Sequence, residues 1–460
     1  MKKKRYHTVA GGNSHNNNRI LEVSGGIAEE IPENDNGNGS DSGSLLLPIR
    51  TIHNQQKLAA LYSSCGTTTT TTADDTPTAA AANNNTTVTT TTTLVVQTSI
   101  DRMWILKETC QRWNIDPIIA VVFVPHSESF IGDTEGTNER KTLLNILERC
   151  SNLYIIRYIA DPIESIEGRY PVNRMRNVGL DYVTTNHVLM IDIDFIPSQD
   201  LDTTIKNATQ QQQQQRKTNN ATTNIALVVP AFERRKPIDC LDEVSCSKHL
   251  KGSDSNNFLP HTFEELQKCY STKSSINNTK SDCIVFQSEY NWDGHSTTRS
   301  KQWINEQFYD NNNNNSKDND SDISFRKIPC FDTARYEPYV VLQWCPSTKL
   351  STTTEGIAPL SPYYDERFYG YGKNKIELIS HLRFMSYEFH ILPKGYIIHN
   401  PHVESKTKYR WNDIQHSSLH KTMDTLYNTI FMKELYKMYS SHTHTNTTGN
   451  GIVELCEQKR

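Results

Sequence analysis

The sequence predicts an α/β fold with a mainly parallel central sheet flanked by helices. Short runs of apolar, mostly β-branched residues recur along the chain, and segments with helical spacing separate them. One of these runs ends directly in an acidic pair, Asp192 and Asp194. Such runs are typical of strands buried on both faces, and their alternation with helices is typical of parallel sheets.

The predicted elements lie between residues 94 and 440, which we interpret as the ordered domain. Apolar runs predict strands at 94–98, 118–124, 153–158, 188–191 and 225–230, with later candidates at 337–343 and 388–392. Apolar residues spaced three and four apart predict helices at 100–113, 142–150, 174–184 and 376–385.

Low-complexity segments interrupt this pattern. Only 35% of the 460 residues are hydrophobic, so part of the chain is not expected to pack into a core. Residues 1–93 are predicted to be a disordered N-terminal region, and residues 441–460 a flexible C-terminal tail. The runs Gln210 to Gln215 and Asn311 to Asn315 predict surface loop insertions near 207–222 and 309–322.

The composition excludes several classes of protein. A formal net charge of −4 does not provide the positive field of a nucleic-acid-binding protein. No run of 18 apolar residues is present, so neither a membrane span nor a signal peptide is predicted. The ten cysteines form no C-x-x-C pair, which argues against a zinc ribbon. They suit disulfides in a secretory lumen or, as we interpret most of them, small apolar residues of the core.

The acidic pair directly follows the apolar run at 188–191. Carboxylates are costly inside a sheet, so Asp192 and Asp194 are expected at the carboxyl end of the strand, where open α/β sheets bind ligands. Residues i and i+2 of an extended segment point to the same side, so both carboxylates can face one ion. Oxygen ligands suit Mn²⁺ or Mg²⁺, which can also bridge the phosphates of a nucleotide. A solvated acidic loop is the alternative.

Six segments follow one another in a characteristic order. They are YPVNRMRNV at 170–178, DIDFIP at 192–197, VVPAFE at 228–233, YEPYVV at 336–341, YDERFYGYGKNK at 364–375 and LPKGYIIHNPH at 392–402. This series resembles glycosyltransferase family 49, of the LARGE and β-1,4-glucuronyltransferase type. The resemblance implies a GT-A fold with a Rossmann-like nucleotide-binding half and an acceptor half. It also implies inverting transfer of a sugar, typically glucuronic acid, from a UDP-sugar to a glycan or glycoprotein, and a location in the Golgi lumen or membrane.

The resemblance also implies roles at the metal. Asp192 and Asp194 match the pair that holds Mn²⁺, or Mg²⁺, and the diphosphate of the donor. A late histidine often completes the metal shell in such enzymes, and His399 is expected to be that ligand. His402 is the alternative, or a phosphate contact. Without the motif, both would be interpreted as ordinary loop histidines.

Three further residues are expected on the donor side. Lys375 matches the family's lysine, and its ammonium can meet a phosphate or the carboxylate of glucuronate. Arg176 and Asn177 match an Arg-Asn pair that reaches the nucleotide or braces the acidic pair. A surface ion pair is the alternative for these two.

The acceptor side requires a base and a surface for the sugar. An inverting transfer needs a group that takes the proton of the acceptor hydroxyl, and Asp365 or Glu366 is expected to do so. A salt bridge to Arg367 is the alternative role for this acidic pair. Trp292 resembles a family position near the acceptor and offers a flat ring for stacking.

Two other functions remain open from the sequence. One is a transferase of the same fold that uses another UDP-sugar, such as xylose, galactose or N-acetylglucosamine. The other is a non-catalytic descendant that binds glycans. The intact set of Asp192, Asp194 and His399 argues against the second.

Overall fold

The structure is a computed structural model. It describes residues 20–24, 90–125, 145–165, 169–219, 224–236, 240–242, 245–246, 259–271, 281–305, 326–344, 361–403, 408, 417–439 and 452–457.

The described strands form two sheets. In chain order they are β1 (Ile20–Ser24), β2 (Thr92–Ser99), β3 (Ile118–Val124), β4 (Leu153–Ile159), β5 (His187–Asp192), β6 (Phe195–Pro197), β7 (Ile225–Val229), β8 (Ala231–Arg234), β9 (Cys283–Val285), β10 (Arg326–Ile328), β11 (Tyr339–Gln343), β12 (Glu388–Ile391) and β13 (Ile397–His399). The larger sheet has the order β1-β4-β3-β2-β5-β11-β7-β12-β10, and the smaller one β6-β13-β8-β9.

The first half of the larger sheet is parallel throughout. Strands β1, β4, β3, β2 and β5 pair in parallel, and β11 inserts antiparallel between β5 and β7. The runs in β2, β3 and β5 are buried on both faces, as their composition predicts. The predicted fold class, a mainly parallel sheet flanked by helices, is confirmed.

Helices pack against the two sheets and against one another. They are α1 (Leu106–Arg112), α2 (Val172–Asp181), α3 (Leu201–Asn219), α4 (Phe263–Ser271), α5 (Ile376–Phe384), α6 (Ser417–Thr425) and α7 (Met432–Tyr439), with short helical segments at 145–149 and 300–305. Helix α2 approaches β2 closely at Gly179, where an added Cβ would lie 2.4 Å from a methyl of Val95. A glycine is therefore needed at this contact for the helix to lie against the sheet.

Two predicted elements differ in detail. The helix predicted at 100–113 begins as a 3₁₀ helix at Ile100–Ile105 and becomes α-helical only in α1. The strand predicted from residue 337 begins at Tyr339, because Pro338 has no N–H to donate to a sheet ladder. Residues 142–144 of another predicted helix lie outside the described residues.

The low-complexity segments depart further from expectation. The run Gln210 to Gln215 lies in helix α3 rather than in a loop, because glutamine is a good helix former and Gln212 is buried. Ile20–Ser24, within the region predicted to be disordered, forms strand β1 against β4. The run Asn311 to Asn315 lies outside the described residues.

Eight cysteines form four disulfides. The pairs are Cys110–Cys150, Cys240–Cys246, Cys269–Cys283 and Cys330–Cys456. The interpretation of most cysteines as unpaired core residues is therefore wrong for these eight, because the spacing along the chain did not reveal the pairs. Cys65 and Cys345 lie outside the described residues.

The C-terminal segment 452–457 is held against the domain. Cys456 is bonded to Cys330, and its backbone N–H donates to Phe331 O at 2.8 Å. Phe331 and Leu455 form a parallel bridge. The prediction of a flexible tail is wrong for these residues, because the disulfide and backbone bonds fix them.

A second apolar cluster lies apart from the main core. It joins α5 to the C-terminal helices through Phe368, Ile376, Phe384, Met423, Tyr427, Phe431 and Leu435. A π-helical segment, Leu426–Phe431, connects α6 to α7 within it. None of the helices in the described part of the chain has the length and apolarity needed to cross a membrane.

Candidate functional site

The acidic pair lies where the parallel strands end. Asp192 is the last residue of β5, and Asp194 immediately precedes β6. Gln97, near the carboxyl end of the neighbouring strand β2, is the register partner of Asp192. This is the edge at which open α/β sheets bind ligands, as predicted.

Asp194 meets two histidines, His399 at the end of β13 and His402 just after it. Its Oδ2 lies 2.8 Å from Nε2 of His402 and 3.6 Å from Nε2 of His399. Strands β13 and β6 pair antiparallel, and the N–H of Asn400 donates to the carbonyl of Asp194 at 2.7 Å. The smaller sheet therefore brings residues 194 and 399–402 together.

The ligand atoms of Asp194, His399 and His402 lie within 4.8 Å of one another. Burial opposes ionisation of Asp194, but the two neighbouring histidines outweigh it and hold its pKa well below the usual value. Burial also lowers the pKa of His399, which favours the neutral imidazole, the form that ligates metals.

One oxygen of this group is unsatisfied. Asp194 Oδ1 is buried and has no hydrogen-bond partner among the described residues. A buried carboxylate oxygen without a donor is costly, and a cation would relieve that cost. One carboxylate and two imidazoles form a ligand set that suits Mn²⁺. These residues fit a divalent ion.

Asp192 has a different environment. Its Oδ1 accepts hydrogen bonds from Arg176 Nη2 at 2.8 Å and Gln97 Nε2 at 2.9 Å. Its Oδ2 accepts bonds from Tyr339 at 2.8 Å and Lys375 Nζ at 3.2 Å. Burial opposes ionisation, but Lys375 and Arg176 outweigh it and lower the pKa of Asp192. Its role as a metal ligand stays a prediction, since four donors already occupy its carboxylate.

Arg176, on helix α2, holds the carboxylate of Asp192 in place. Its other guanidinium nitrogen, Nη1, donates to Asn173 Oδ1 at 2.9 Å and to the carbonyl and side chain of Asn374 at 3.1 Å. The ion pair with Asp192 raises the pKa of Arg176 against the opposing effect of burial. Arg176 is 2% exposed, so it is not part of a surface ion pair.

Asn177 holds the segment that contains Asp365 and Glu366. Its amide exchanges hydrogen bonds with the backbone of Tyr364, at 2.9 Å and 2.8 Å, and donates to Glu366 Oε1 at 2.8 Å. The side chain is fully buried. Asn177 thus positions this segment, and a contact with the nucleotide stays a prediction.

Asp365 is engaged in a buried ion pair. Arg367 Nη2 lies 2.5 Å from Asp365 Oδ2 and 2.6 Å from Glu434 Oε2 on helix α7. Asp365 is 1% exposed. This arrangement is the alternative role considered for the acidic pair; a role of Asp365 as the base stays a prediction.

The predicted acceptor residue lies on an exposed turn. Trp292 is 48% exposed and begins the 3₁₀ segment Trp292–Gly294. The next residue, His295, is buried, and its ring stacks on Tyr339 with centroids 6.4 Å apart. The turn therefore lies beside a residue that binds Asp192.

The sequence did not single out Tyr339, Gln97, His295 or Glu337. Tyr339 and Glu337 both belong to the motif at 336–341, which the sequence comparison already marked. Membership of that motif was the signal that could have identified them as candidate site residues. Gln97 gave none, because its role depends on the pairing of β2 with β5.

The chain matches a family model described as the glycosyl-transferase for dystroglycan over residues 133–440, about two thirds of its length. It is 27% identical over 325 residues to the xylosyl- and glucuronyltransferase LARGE1 of Gallus gallus, covering 69% of this chain and 32% of that protein. It is 26% identical over 350 residues to the glycosyltransferase-like protein LARGE of Caenorhabditis elegans, covering 74% and 42%.

The chain thus spans about a third of the length of the first of these relatives. Among solved structures, Staphylococcus aureus TarS 1–349 shares 14% identity over 33% of this chain and 40% of that chain, with a TM-score of 0.22, too low to compare topologies. The family match covers the acidic pair, both histidines and Lys375. The chain belongs to the family of glycosyltransferases described as the glycosyl-transferase for dystroglycan.

Proposed function

We propose that this chain transfers a sugar, glucuronic acid, from a UDP-sugar to a glycan acceptor with inversion, and that a divalent metal is required. The observation that carries the proposal is the group formed by Asp194, His399 and His402 around a buried, unsatisfied carboxylate oxygen. Mn²⁺ held there would neutralise the developing charge of the UDP leaving group.

The donor side is supported by two cations. Lys375 Nζ lies 3.2 Å from Asp192 and donates to Tyr339 at 2.9 Å, so its ammonium is held at the carboxyl edge of the sheet. Arg176 lies on the other oxygen of Asp192. A diphosphate or a glucuronate carboxylate that reaches this edge would meet positive charge. The printed names of the relatives give both xylosyl and glucuronyl transfer, so UDP-xylose is the second donor to test.

The acceptor side is supported by Trp292. Its exposed ring is suited to stacking on a sugar face. Of the two carboxylates expected to act as the base, Asp365 is buried against Arg367, so Glu366 is the one of the pair to test. Glu366 itself accepts a hydrogen bond from Asn177.

The four disulfides support a secretory location for the chain. Disulfides form and persist in oxidising compartments, and they are rare in the cytosol. Family membership adds the expectation of the Golgi lumen or membrane. A glycan or glycoprotein acceptor would be met in the same compartment.

The test is a donor screen with the full chain. UDP release is measured with Mn²⁺ and, in turn, UDP-glucuronate, UDP-xylose, UDP-galactose and UDP-N-acetylglucosamine, with and without a panel of nitrophenyl glycosides as acceptors. We expect release with UDP-glucuronate that EDTA abolishes and that Asp194→Ala lowers at least about 100-fold. The matched control is His390→Ala, which removes a histidine on strand β12 paired with Glu388.

The outcomes discriminate between the functions. Turnover with another UDP-sugar would reassign the donor. Glycan binding without any turnover would favour the non-catalytic descendant. Release that survives both EDTA and Asp194→Ala would contradict the metal requirement.

A further inference from the structure

Glu337 lies beside the turn that carries Trp292. Its backbone N–H donates to the carbonyl of Gly294 at 2.9 Å. Two residues later, Tyr339 begins β11 and donates to Asp192. Glu337 therefore connects the candidate acceptor turn to the acidic edge of the sheet.

The carboxylate packs over a glycine. A Cβ added to Gly294 would lie 3.2 Å from Glu337 Oε1 and 3.2 Å from Gln287 Oε1. A larger residue at 294 would press on both oxygens. The absent side chain leaves room for the carboxylate at the turn Trp292–Gly294.

The bonding of Glu337 differs from that of the other carboxylates at the site. Asp192 has four donors, Asp365 is bonded to Arg367, and Glu366 accepts from Asn177. Within the described ranges, no side chain donates a hydrogen bond to the carboxylate of Glu337, which remains partly exposed. Its oxygens are therefore available to a ligand.

The electrostatic surroundings suit a proton acceptor. Burial raises the pKa of Glu337, Lys375 lowers it, and Asp192 raises it. A raised carboxyl pKa strengthens the group as a base near neutral pH. Lys375, whose charge lowers the pKa of Glu337, also forms an ion pair with Asp192 at 3.2 Å.

We propose that Glu337 is a catalytic residue that accepts the proton of the acceptor hydroxyl during sugar transfer; this rests on the proposed function. The acceptor oxygen forms a bond to the anomeric carbon, and the bond from that carbon to the UDP oxygen breaks. The electron pair of the broken bond leaves with UDP. The hydroxyl proton moves to a carboxylate oxygen of Glu337, which later releases it to water.

The test compares Glu337→Gln with the wild type in the full chain, using Mn²⁺, UDP-glucuronate and the most active nitrophenyl glycoside. Gln has the same shape, so the contact with Gly294 is retained. We expect kcat to fall by about 10²–10⁴-fold, with the KM for the donor and the affinity for Mn²⁺–UDP within twofold of wild type. With an acceptor analogue that carries fluorine beside the reacting hydroxyl, the fall in kcat should be smaller, because a more acidic hydroxyl depends less on a base.

Two further variants complete the comparison. Glu388→Gln, on β12 and paired with Lys327, is the matched control and should leave turnover unchanged. Glu366→Gln tests the other candidate base. A Glu337→Gln enzyme within fivefold of wild type, or a larger loss of kcat in Glu366→Gln that is relieved by the fluorinated acceptor, would overturn the assignment.

Failure of this inference can be distinguished from failure of the proposed function. A wild-type chain that releases no UDP from any donor would refute the transferase activity and the inference together. An active wild type with an unaffected Glu337→Gln variant would refute the inference alone.

Discussion

Nε2 of His402 lies 2.8 Å from Oδ2 of Asp194, closer than Nε2 of His399 at 3.6 Å. Both histidines therefore belong to the same group, although only one was expected as the ligand. Two imidazoles and a carboxylate from two adjacent segments would offer three protein ligands to a divalent ion.

The first prediction concerns metal affinity. His399→Ala and His402→Ala should each weaken Mn²⁺ binding about tenfold or more, and Asp194→Asn should weaken it further. Calorimetric titration of Mn²⁺ in the presence of UDP measures this. His390→Ala is the control, and a His402→Ala variant with wild-type affinity would show that His402 is not a ligand.

The second prediction concerns the ion pair between Arg176 and Asp192. Arg176→Met removes the bond from Nη2 to Asp192 Oδ1 and leaves that oxygen with Gln97 as its remaining donor among the described residues. The free energy of unfolding should fall by about 3 kcal/mol, as measured by denaturant titration. The double variant Arg176→Met with Asp192→Asn should recover part of the loss. If the losses of unfolding free energy of the two single variants simply added in the double variant, the two side chains would not interact.

The third prediction concerns the disulfides. Cys330 and Cys456 are 126 residues apart, and Cys240 and Cys246 only 6. Closing a longer loop restricts the unfolded chain more, so replacing both cysteines of the first pair by serine should cost about 4 kcal/mol, against about 2 kcal/mol for the second. Thermal unfolding of both double variants checks this order. A larger loss of stability for the Cys240–Cys246 pair than for the Cys330–Cys456 pair would contradict the attachment of the C-terminal segment.

The fourth prediction concerns pH. Burial lowers the pKa of His381 to about 3, and its Nε2 lies 2.9 Å from the hydroxyl of Tyr439. The unfolded chain binds this proton below about pH 6.5 whereas the folded chain does not, so stability is lost as the pH falls from 6.5 towards 3. At pH 5 the loss should be about 2 kcal/mol.

The measurement is the free energy of unfolding at pH 7.5 and pH 5 for the wild type and His381→Gln. The variant cannot bind the proton, so its stability should depend less on pH over this interval. Parallel pH dependence in the two proteins would show that His381 is not the group responsible.

The sequence predicted the fold class because the apolar runs in β2, β3 and β5 are typical of strands buried on both faces of a parallel sheet. It also placed Asp192 and Asp194 at the carboxyl edge, since charged residues end such a run. The pair His399 and His402 was recognised only through the motif around it. Gln210 to Gln215 was misassigned because repetition indicates low complexity, whereas glutamine itself favours a helix.

The sequence by itself determined the strands, the acidic edge and the family, because local composition and ordered motifs carry that information. Only the tertiary structure decided which charges meet. It joined Asp194 to His399 and His402 through the pairing of β6 with β13, and it surrounded Asp192 with donors from β2, α2 and β11. Arg176 is only 16 residues from Asp192, but the other contacts join residues that are 95 to 208 positions apart. Long-range pairing of this kind follows from the packing of the whole chain rather than from any local pattern.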